Sequence, residues 1–308
     1  MLKLEFITAF SAIAETGSIT GAARRLAISK SVVSERLTEL ERVLSTKLVR
    51  RTTRSLSLTD DGKTFHERAK QILRNVENAA SELTERRGTL AGPLRISAPV
   101  SFGILHLGQA LFRFLARHPG IELTLELDDR FVDLQGEGYD AIIRHGPVHD
   151  DRIIVKRLST SRRVLVASPA YLNRFGNPTS LQDLGQHRGI IYGNRGAADW
   201  RFRVGRKWVI ARPQVALRVN NGFLMRDAAA AGLGIALLAT FLLETPLKKR
   251  MFKVLDIGAE AEGATLYIAY PGELRTSWKI RALTASLRQS FGEPPYWDVD
   301  SNRDSPRS

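Results

Sequence analysis

Lys47-Leu-Val-Arg50-Arg51-Thr52-Thr53-Arg54-Ser-Leu56-Ser-Leu58 gathers four basic side chains with no acid among them. Ammonium and guanidinium groups at that density suit a row of phosphates. Leu56 and Leu58 alternate with serine, the period of a half-buried strand. A charge run of this kind also serves as a plain solvated face. The six histidines offer little else: His66, His106, His118, His145, His149 and His187. His145 and His149 have a metal-like i, i+4 spacing, but Gly146-Pro147 breaks any helix between them and no carboxylate-rich motif follows. No metal is expected. The chain has no cysteine, which excludes thiolate ligands and disulfides and fits a reducing cytoplasm. No G-x-S-x-G elbow, P-loop or dinucleotide fingerprint appears, and Gly232-Leu-Gly234 reads as a turn between helix and strand. Neither an enzyme nor a cofactor carrier is expected.

The elements that would position the basic run precede it. Phe6, Ile7, Phe10, Ile13 and Ala14 share one helical face. Gly17 ends that helix and Ser18 can cap the next, Thr20–Ala27, which buries Ala22, Ala23 and Leu26. Ser29 can cap a third, whose buried stripe is Val33, Leu37, Leu40 and Leu44. Three helices with a short turn between the last two make the helix-turn-helix plan, or any small helical bundle. The basic run then takes the place of a β-wing. Thr59 caps a long helix with Asp60 and Asp61 at its positive end. Within it Phe65, Ala69, Ile72, Val76, Ala79 and Leu83 recur as a heptad seam. About 28 residues of helix span about 42 Å. So long a seam points to pairing with a second copy; packing on its own domain is the alternative.

The whole chain of 308 residues predicts two or three domains. Its net charge is +14, which favours polyanions, nucleic acid ahead of acidic membrane surfaces. Residues 1–90 hold 16 basic and 11 acidic side chains, so most of the excess lies beyond them. No apolar run approaches the 18–20 or so residues that span a bilayer, and the N-terminus lacks the pattern of a signal peptide. A cytoplasmic protein with no membrane partner is expected.

Near residue 90 the pattern changes to β-branched runs alternating with helices. Strands are predicted at Leu94–Ala98, Ile121–Leu127, Ala141–Arg144, Ile153–Leu158, Arg163–Ala167, Gly189–Tyr192, Val215–Val219, Ile235–Leu238 and Thr265–Ala269. Helices are predicted near Phe102–Arg117, Leu224–Ala231 and Ser277–Ser290. This alternation implies open sheets with helices on their faces, and its length implies two α/β subdomains. Residues 292–308, with Pro294-Pro295 and a polar end, read as a flexible tail.

Ala9-Phe10, Glu15-Thr-Gly-Ser18-Ile-Thr20, Ala22-Ala23-Arg-Arg-Leu26, Ser29, Val33-Ser34, Leu40-Glu41, Leu48, Arg51 and Leu58-Thr59-Asp-Asp-Gly62 closely resemble the LysR-type transcriptional regulators. Leu94-Arg-Ile-Ser97-Ala-Pro99, Asp140-Ala-Ile-Ile-Arg144, Val164-Leu-Val-Ala-Ser168-Pro-Ala-Tyr171-Leu, Asn220-Asn221-Gly222 and Gly232-Leu-Gly234-Ile-Ala-Leu-Leu resemble that family's effector domain. The resemblance implies a bacterial homodimer or homotetramer that binds double-stranded DNA and a small-molecule effector. RNA polymerase is a further candidate partner. It implies a multidomain α/β chain: an all-α winged helix-turn-helix over 1–59, a dimerisation helix over 60–88, and a periplasmic-binding-protein-like effector domain over 89–291. Subdomain I would take 92–160 and 265–291, and subdomain II 161–264, with crossings near Thr160 and Ala264.

On this plan the third helix enters the major groove with its N-terminal end toward the bases. Lys30, Ser31 and Ser34 then face base edges, and Arg36 reaches bases or phosphate. Where family members often carry Gln and Pro, this chain has Lys30 and Ser31. Lysine donates without accepting, so it suits guanine O6 and N7. Ser18, Thr20 and Ser29 are phosphate contacts or plain caps, or both. Arg51, Thr53 and Arg54 belong to the wing, and Phe65, Ala69, Ile72, Val76 and Leu83 to the dimer seam. The effector would lie where strands end between the subdomains. Ser97, Pro99, Ser101 and Phe102 follow the first strand, Arg144 closes another, and Asp128, Tyr192, Asn194, Asn220, Asn221 and Phe223 come from further strand ends. Arg144 and the free N–H groups near Ser101 suit a small organic anion. A structural ion pair of Arg144 with Asp140 or Asp128 is the alternative. The C-terminal half alone also fits a solute-binding protein, and a ligand-independent DNA-binding repressor or nucleoid-type DNA binder is the other alternative.

Overall fold

The computed structural model describes residues 1–51, 56–85, 90–134, 136–146, 153–193 and 200–299. Thr53, Arg54 and Asn194, and the side chains of Arg51 and Leu83, lie outside what is described. The chain divides into two compact units, one of Met1–Leu90 with Val132–Tyr139, the other of Ala91–Phe131 with Asp140–Ser308.

In the first unit α1 (Leu4–Thr16), α2 (Ile19–Leu26) and α3 (Lys30–Leu44) pack around one core. Phe6, Ile7, Phe10 and Ile13 meet Ala22 and Ala23 of α2 and Val33, Leu37 and Leu40 of α3. The two alanines present no bulk, so α2 approaches closely. Gly17 ends α1 at φ 67, and its N–H returns to Ile13 O. Ser18 Oγ caps α2 by accepting from Gly21 N at 2.9 Å. Ser29 Oγ caps α3 by accepting from Val32 N at 3.3 Å. The wing follows as β1 (Val49–Arg51) and β2 (Leu56–Leu58), antiparallel with Val49 opposite Leu58. Leu56 and Leu58 pack on the helical core, so their alternation with serine reports the buried face.

The long helix α4 (Asp60–Glu85) departs from the expected seam. Ala69 is fully buried in this unit's own core, and Phe65 packs there with its ring 5.5 Å from that of Phe10. These two positions therefore serve the domain itself, because the first turns of α4 lie across α1. Ile72 and Val76 remain 37% and 45% exposed, so the stretch open to a partner begins one heptad, about two turns, later than the seam's first position.

His66 is buried in the same place, edge-on to Phe10. Desolvation, with Lys70 adding to it, holds its pKa below the ordinary imidazole value. The folded unit thus binds this proton less readily than the unfolded chain does. Its stability contribution is present above about pH 6.5 and is lost as pH falls below that value. His66→Leu is expected to flatten the fall in melting temperature between about pH 7 and 5; an unchanged slope would remove His66 as its source.

The second unit is built from β3 (Ala91–Ala98), the continuous helix α5 (Val100–Phe102) and α6 (Gly108–Arg117) joined by a π turn, β4 (Gly120–Leu127), β5 (Ala141–His145), β6 (Ile153–Ser161), β7 (Arg163–Ala167), α7 (Pro169–Phe175), β8 (Arg188–Tyr192), β9 (Arg201–Val204), β10 (Lys207–Ile210), β11 (Gln214–Val219), α8 (Gly222–Ala230), β12 (Ile235–Ala239), α9 (Glu244–Lys248), β13 (Lys253–Leu255), β14 (Glu260–Ala261), β15 (Ala264–Pro271), α10 (Trp278–Phe291) and α11 (Tyr296–Val299). Two five-stranded sheets result, ordered β4-β3-β5-β15-β6 and β11-β8-β12-β7-β13. In each, three strands run parallel, the fourth runs against them, and the fifth pairs antiparallel with the fourth and so runs with the first three. The chain leaves the first sheet between Ser161 and Arg163 and returns at Ala264.

Two features differ from expectation. A small sheet, β10-β9-β14, is inserted beside the second large one. Its hairpin turns on Gly205-Arg206 between Val204 and Lys207, with Gly205 at φ 58. The expected flexible tail is also corrected in part. Tyr296–Val299 is helical and Trp297 is 3% exposed, because two indole and phenol rings at this point find an aromatic surface to cover.

Candidate nucleic-acid interface and effector cleft

The exposed face of α3 carries Lys30, Ser31, Glu35, Thr38 and Arg42, with Ser34 half-buried beside them. Ser31, Glu35, Thr38 and Arg42 step by 4, 3 and 4, so they share one stripe opposite Val33, Leu37 and Leu40. Thr38 was not foreseen; it has the same spacing signal as Glu35. Ser29 and Ser31 hydroxyls lie 2.8 Å apart at the start of the helix. Thr20 is exposed at the start of α2 and Ser18 is committed to its cap. Arg36 Nη2 donates to Glu5 Oε2 at 2.9 Å and ties α3 to α1. Position 36 borders the buried stripe, so the guanidinium emerges toward α1.

The wing is held by an acid that the sequence shows only as part of a familiar pair. Glu41, on the buried side of α3, accepts from Leu48 N at 3.0 Å and Val49 N at 3.2 Å, and its other oxygen meets Lys47 Nζ at 2.6 Å. Two backbone donors are thereby satisfied at the point where the ladder begins. Arg50 is left exposed on β1. Thr59 Oγ1 donates to Lys47 O at 2.7 Å and accepts from Gly62 N at 2.9 Å, joining wing and long helix.

In the second unit Ser97 is fully buried at the end of β3, and its hydroxyl accepts from Arg144 Nη2 at 2.9 Å. Arg144 Nη1 donates to Ile143 O at 2.8 Å. Asp140 accepts from Arg95 N at 2.7 Å. Asp128 accepts from Arg130 N at 2.8 Å and pairs with its guanidinium at 2.6 Å. The Arg130 backbone N–H, ahead of the guanidinium, holds the Asp128 carboxyl below the usual range. Tyr192 lies beside Val219 at the carboxyl ends of two parallel strands, and Asn220 to Phe223 follow directly. Phe223 is half-buried with the Arg226 guanidinium 4.9 Å from its ring centre. Pro99 starts the helix that carries Ser101, whose side chain approaches Gly222 of the other subdomain: a Cβ on Gly222 would stand 3.0 Å from Ser101 Oγ.

Phe102 is not at this surface. It is fully buried among His106, His145, Phe241, Phe291 and Trp297, with ring centres 5.2 to 5.7 Å away. One residue on a helix turns about 100°, so Ser101 facing Gly222 sends Phe102 inward. The sequence also missed Asp129. Its Oδ1 accepts from Val100 N at 3.0 Å and its Oδ2 from Asn221 Nδ2 at 2.9 Å. Asp128 and Asp129 follow the same strand end, and pattern alone does not choose between them. Among the described residues no group of three or more His, Asp or Glu is placed to hold a metal. Nor is any described helix long and apolar enough to cross a membrane.

A three-helix unit with a wing and two like-wired α/β subdomains define a DNA-binding sensor. The family model for the bacterial regulatory helix-turn-helix protein, lysR family, matches residues 4–63, and that for the LysR substrate binding domain matches 87–292. The chain therefore belongs to the LysR family of transcriptional regulators, with a helix-turn-helix DNA-binding domain and an effector-binding domain. An HTH-type transcriptional regulator of Haemophilus influenzae is 32% identical over 291 residues, 93% of this chain and 100% of that one. The HTH-type transcriptional regulator PtxR of Pseudomonas aeruginosa is 31% identical over 298 residues, 96% of this chain and 95% of that one. CrgA, a LysR-type transcriptional regulator from Neisseria meningitidis, is 25% identical over 95% of this chain and 100% of its own, with a TM-score of 0.59. Full-length LysG of Corynebacterium glutamicum with bound effector Arg shares the fold at 22% identity, covering 94% of this chain and 98% of that one, with a TM-score of 0.59.

Proposed function

We propose that this chain binds promoter DNA as a homodimer or homotetramer and changes transcription when a small organic anion enters the cleft between its two α/β subdomains. The observation that carries the ligand class is convergence at one place. The helix that starts at Val100 and the helix α8 that follows Asn221 bring their N-terminal ends together there, with Ser101 between them. Such ends favour negative charge. LysG, of the same fold, has an amino acid as its effector, which carries a carboxylate. The parts divide as a winged domain over 1–59, a pairing helix over 60–88 and an effector domain over 89–291. In this reading the protein is cytoplasmic, has no catalytic role, and meets RNA polymerase at the promoter. A ligand that prefers one subdomain angle shifts the pairing geometry and hence the half-site spacing. Calorimetric titration against small aromatic and aliphatic acids tests the ligand class; binding only by molecules with no anionic group would overturn it.

On the DNA side, Lys30 reads bases and Arg54 neutralises phosphate. Arg54→Ala is expected to weaken binding to every sequence and to reduce the log–log salt slope by about one. Lys30→Ala is expected to change base preference at one operator position while affinity for random duplex changes little. Binding isotherms on operator and random DNA across salt concentrations separate the two. Equal losses on both DNAs for Lys30→Ala would remove its base-reading role.

A further inference from the structure

We propose that Asp129 fills the effector's anion seat from within the chain, and that an anionic effector enters by displacing it. The proposal rests on the effector reading above and adds what occupies the anion seat before an effector enters. Asp129 follows β4 of one subdomain. One of its oxygens accepts from Val100 N at the start of the helix in that same subdomain. The other accepts from the amide of Asn221, the N-cap of α8 in the opposite subdomain. Asn221 is itself fixed, its Oδ1 accepting from Phe223 N at 3.1 Å and Leu224 N at 3.2 Å. A single carboxylate thus lies between two helix N-termini and bridges the subdomains. That is the charge, shape and bonding an effector carboxylate would bring.

A second observation points to a ligand at the same place. Ser101 is 5% exposed, faces Gly222, and among the described residues its hydroxyl takes no hydrogen bond. With Asp129 turned out, an incoming carboxylate would accept from Val100 N, the Asn221 amide and Ser101 Oγ together. The internal carboxylate lowers apparent effector affinity by the fraction of time it holds the seat. It also keeps the subdomains together when no effector is present.

The test is chemical rescue in the full-length protein, with sodium formate and sodium acetate as probes against sodium chloride at equal ionic strength. Asp129→Ala empties the seat, and its effector domain is expected to melt roughly 3–6 °C lower than the parent. Formate or acetate at tens of millimolar should restore most of that shift along a saturating curve. The parent protein, whose seat is filled, should show no difference between formate and chloride. Asp129→Asn fills the space without charge and should likewise gain nothing. If Asp129→Ala does not fold in chloride, recovery of folded protein on refolding in formate becomes the readout. Absence of formate-specific recovery in Asp129→Ala, or an equal gain in the parent and Asp129→Asn, would overturn the proposal. The outcome is separate from the ligand search. Rescue without any metabolite hit keeps the seat and sinks the sensor reading, while an anionic effector found without rescue does the reverse.

Discussion

Gly62→Ala is expected to destabilise the DNA-binding unit by at least about 3 kcal/mol and to abolish operator binding at growth temperature, as read by urea unfolding followed through the N-terminal unit and by gel shift. Two physical effects oppose each other at this position. Gly62 lies in the first turn of α4, where alanine is intrinsically better by about 0.5–1 kcal/mol. Against that, a Cβ at Gly62 would stand 2.0 Å from Leu48 O and 2.9 Å from Leu48 C. Both are backbone atoms, so no rotamer change relieves the overlap. Leu48 cannot retreat. Its carbonyl accepts from Thr59 N at 3.0 Å, its N–H is held by Glu41, and its side chain is in the core. Overpacking ordinarily costs about 1–3 kcal/mol, and more when the backbone must move. The helix and the wing would have to separate, carrying Arg50 with them. A variant at least as stable as the parent would show that propensity governs the site and that the wing does not depend on this close approach.

The same junction shows what could be read from the chain. The three helices, their caps and the alternating leucines of the wing follow from periodicity, because each element shows one face to one core. Glu41 and Gly62 appear in the sequence as members of a familiar pattern, yet nothing in composition or spacing tells that one anchors the wing and the other admits it. Those roles exist only once α3, β1 and α4 are brought together. The seam of α4 was misjudged at Phe65 and Ala69 for a related reason: heptad spacing reports that a face is buried, not by what. In the effector domain the predicted strands match runs of β-branched residues. The hairpin Arg201–Ile210 was missed because Arg201, Arg203 and Lys207 dilute its apolar residues, although Phe202 is fully buried. Ser97 and Arg144 both stand near strand ends, which periodicity shows, and their side chains meet. Asp129 was passed over for its neighbour, since which of two adjacent acids turns toward a helix N-terminus depends on the loop after β4.

Phe102 carries the second large expectation. Phe102→Ala should cost about 3–5 kcal/mol in the stability of the effector domain, the usual range for emptying a filled aromatic site. Its ring is the centre of a cluster drawn from distant parts of the chain: His106 and Phe291 from one subdomain, Phe241 from the other, and Trp297 from the C-terminal helix. His106 ties the cluster further, with Nδ1 2.5 Å from Tyr296 Oη and Nε2 3.0 Å from Phe241 O. Burial holds the His106 pKa below the ordinary imidazole value, so the neutral ring is the one that packs. Removing Phe102 leaves a cavity that these rings cannot close without giving up both hydrogen bonds. Truncation after Phe291 attacks the same cluster from its other side, and the combined loss should fall short of the sum because the two changes share one set of contacts. Differential scanning calorimetry of the two single variants and the double variant measures this directly. Additive losses, or a Phe102→Ala protein with parental stability and altered effector affinity alone, would return Phe102 to the ligand surface.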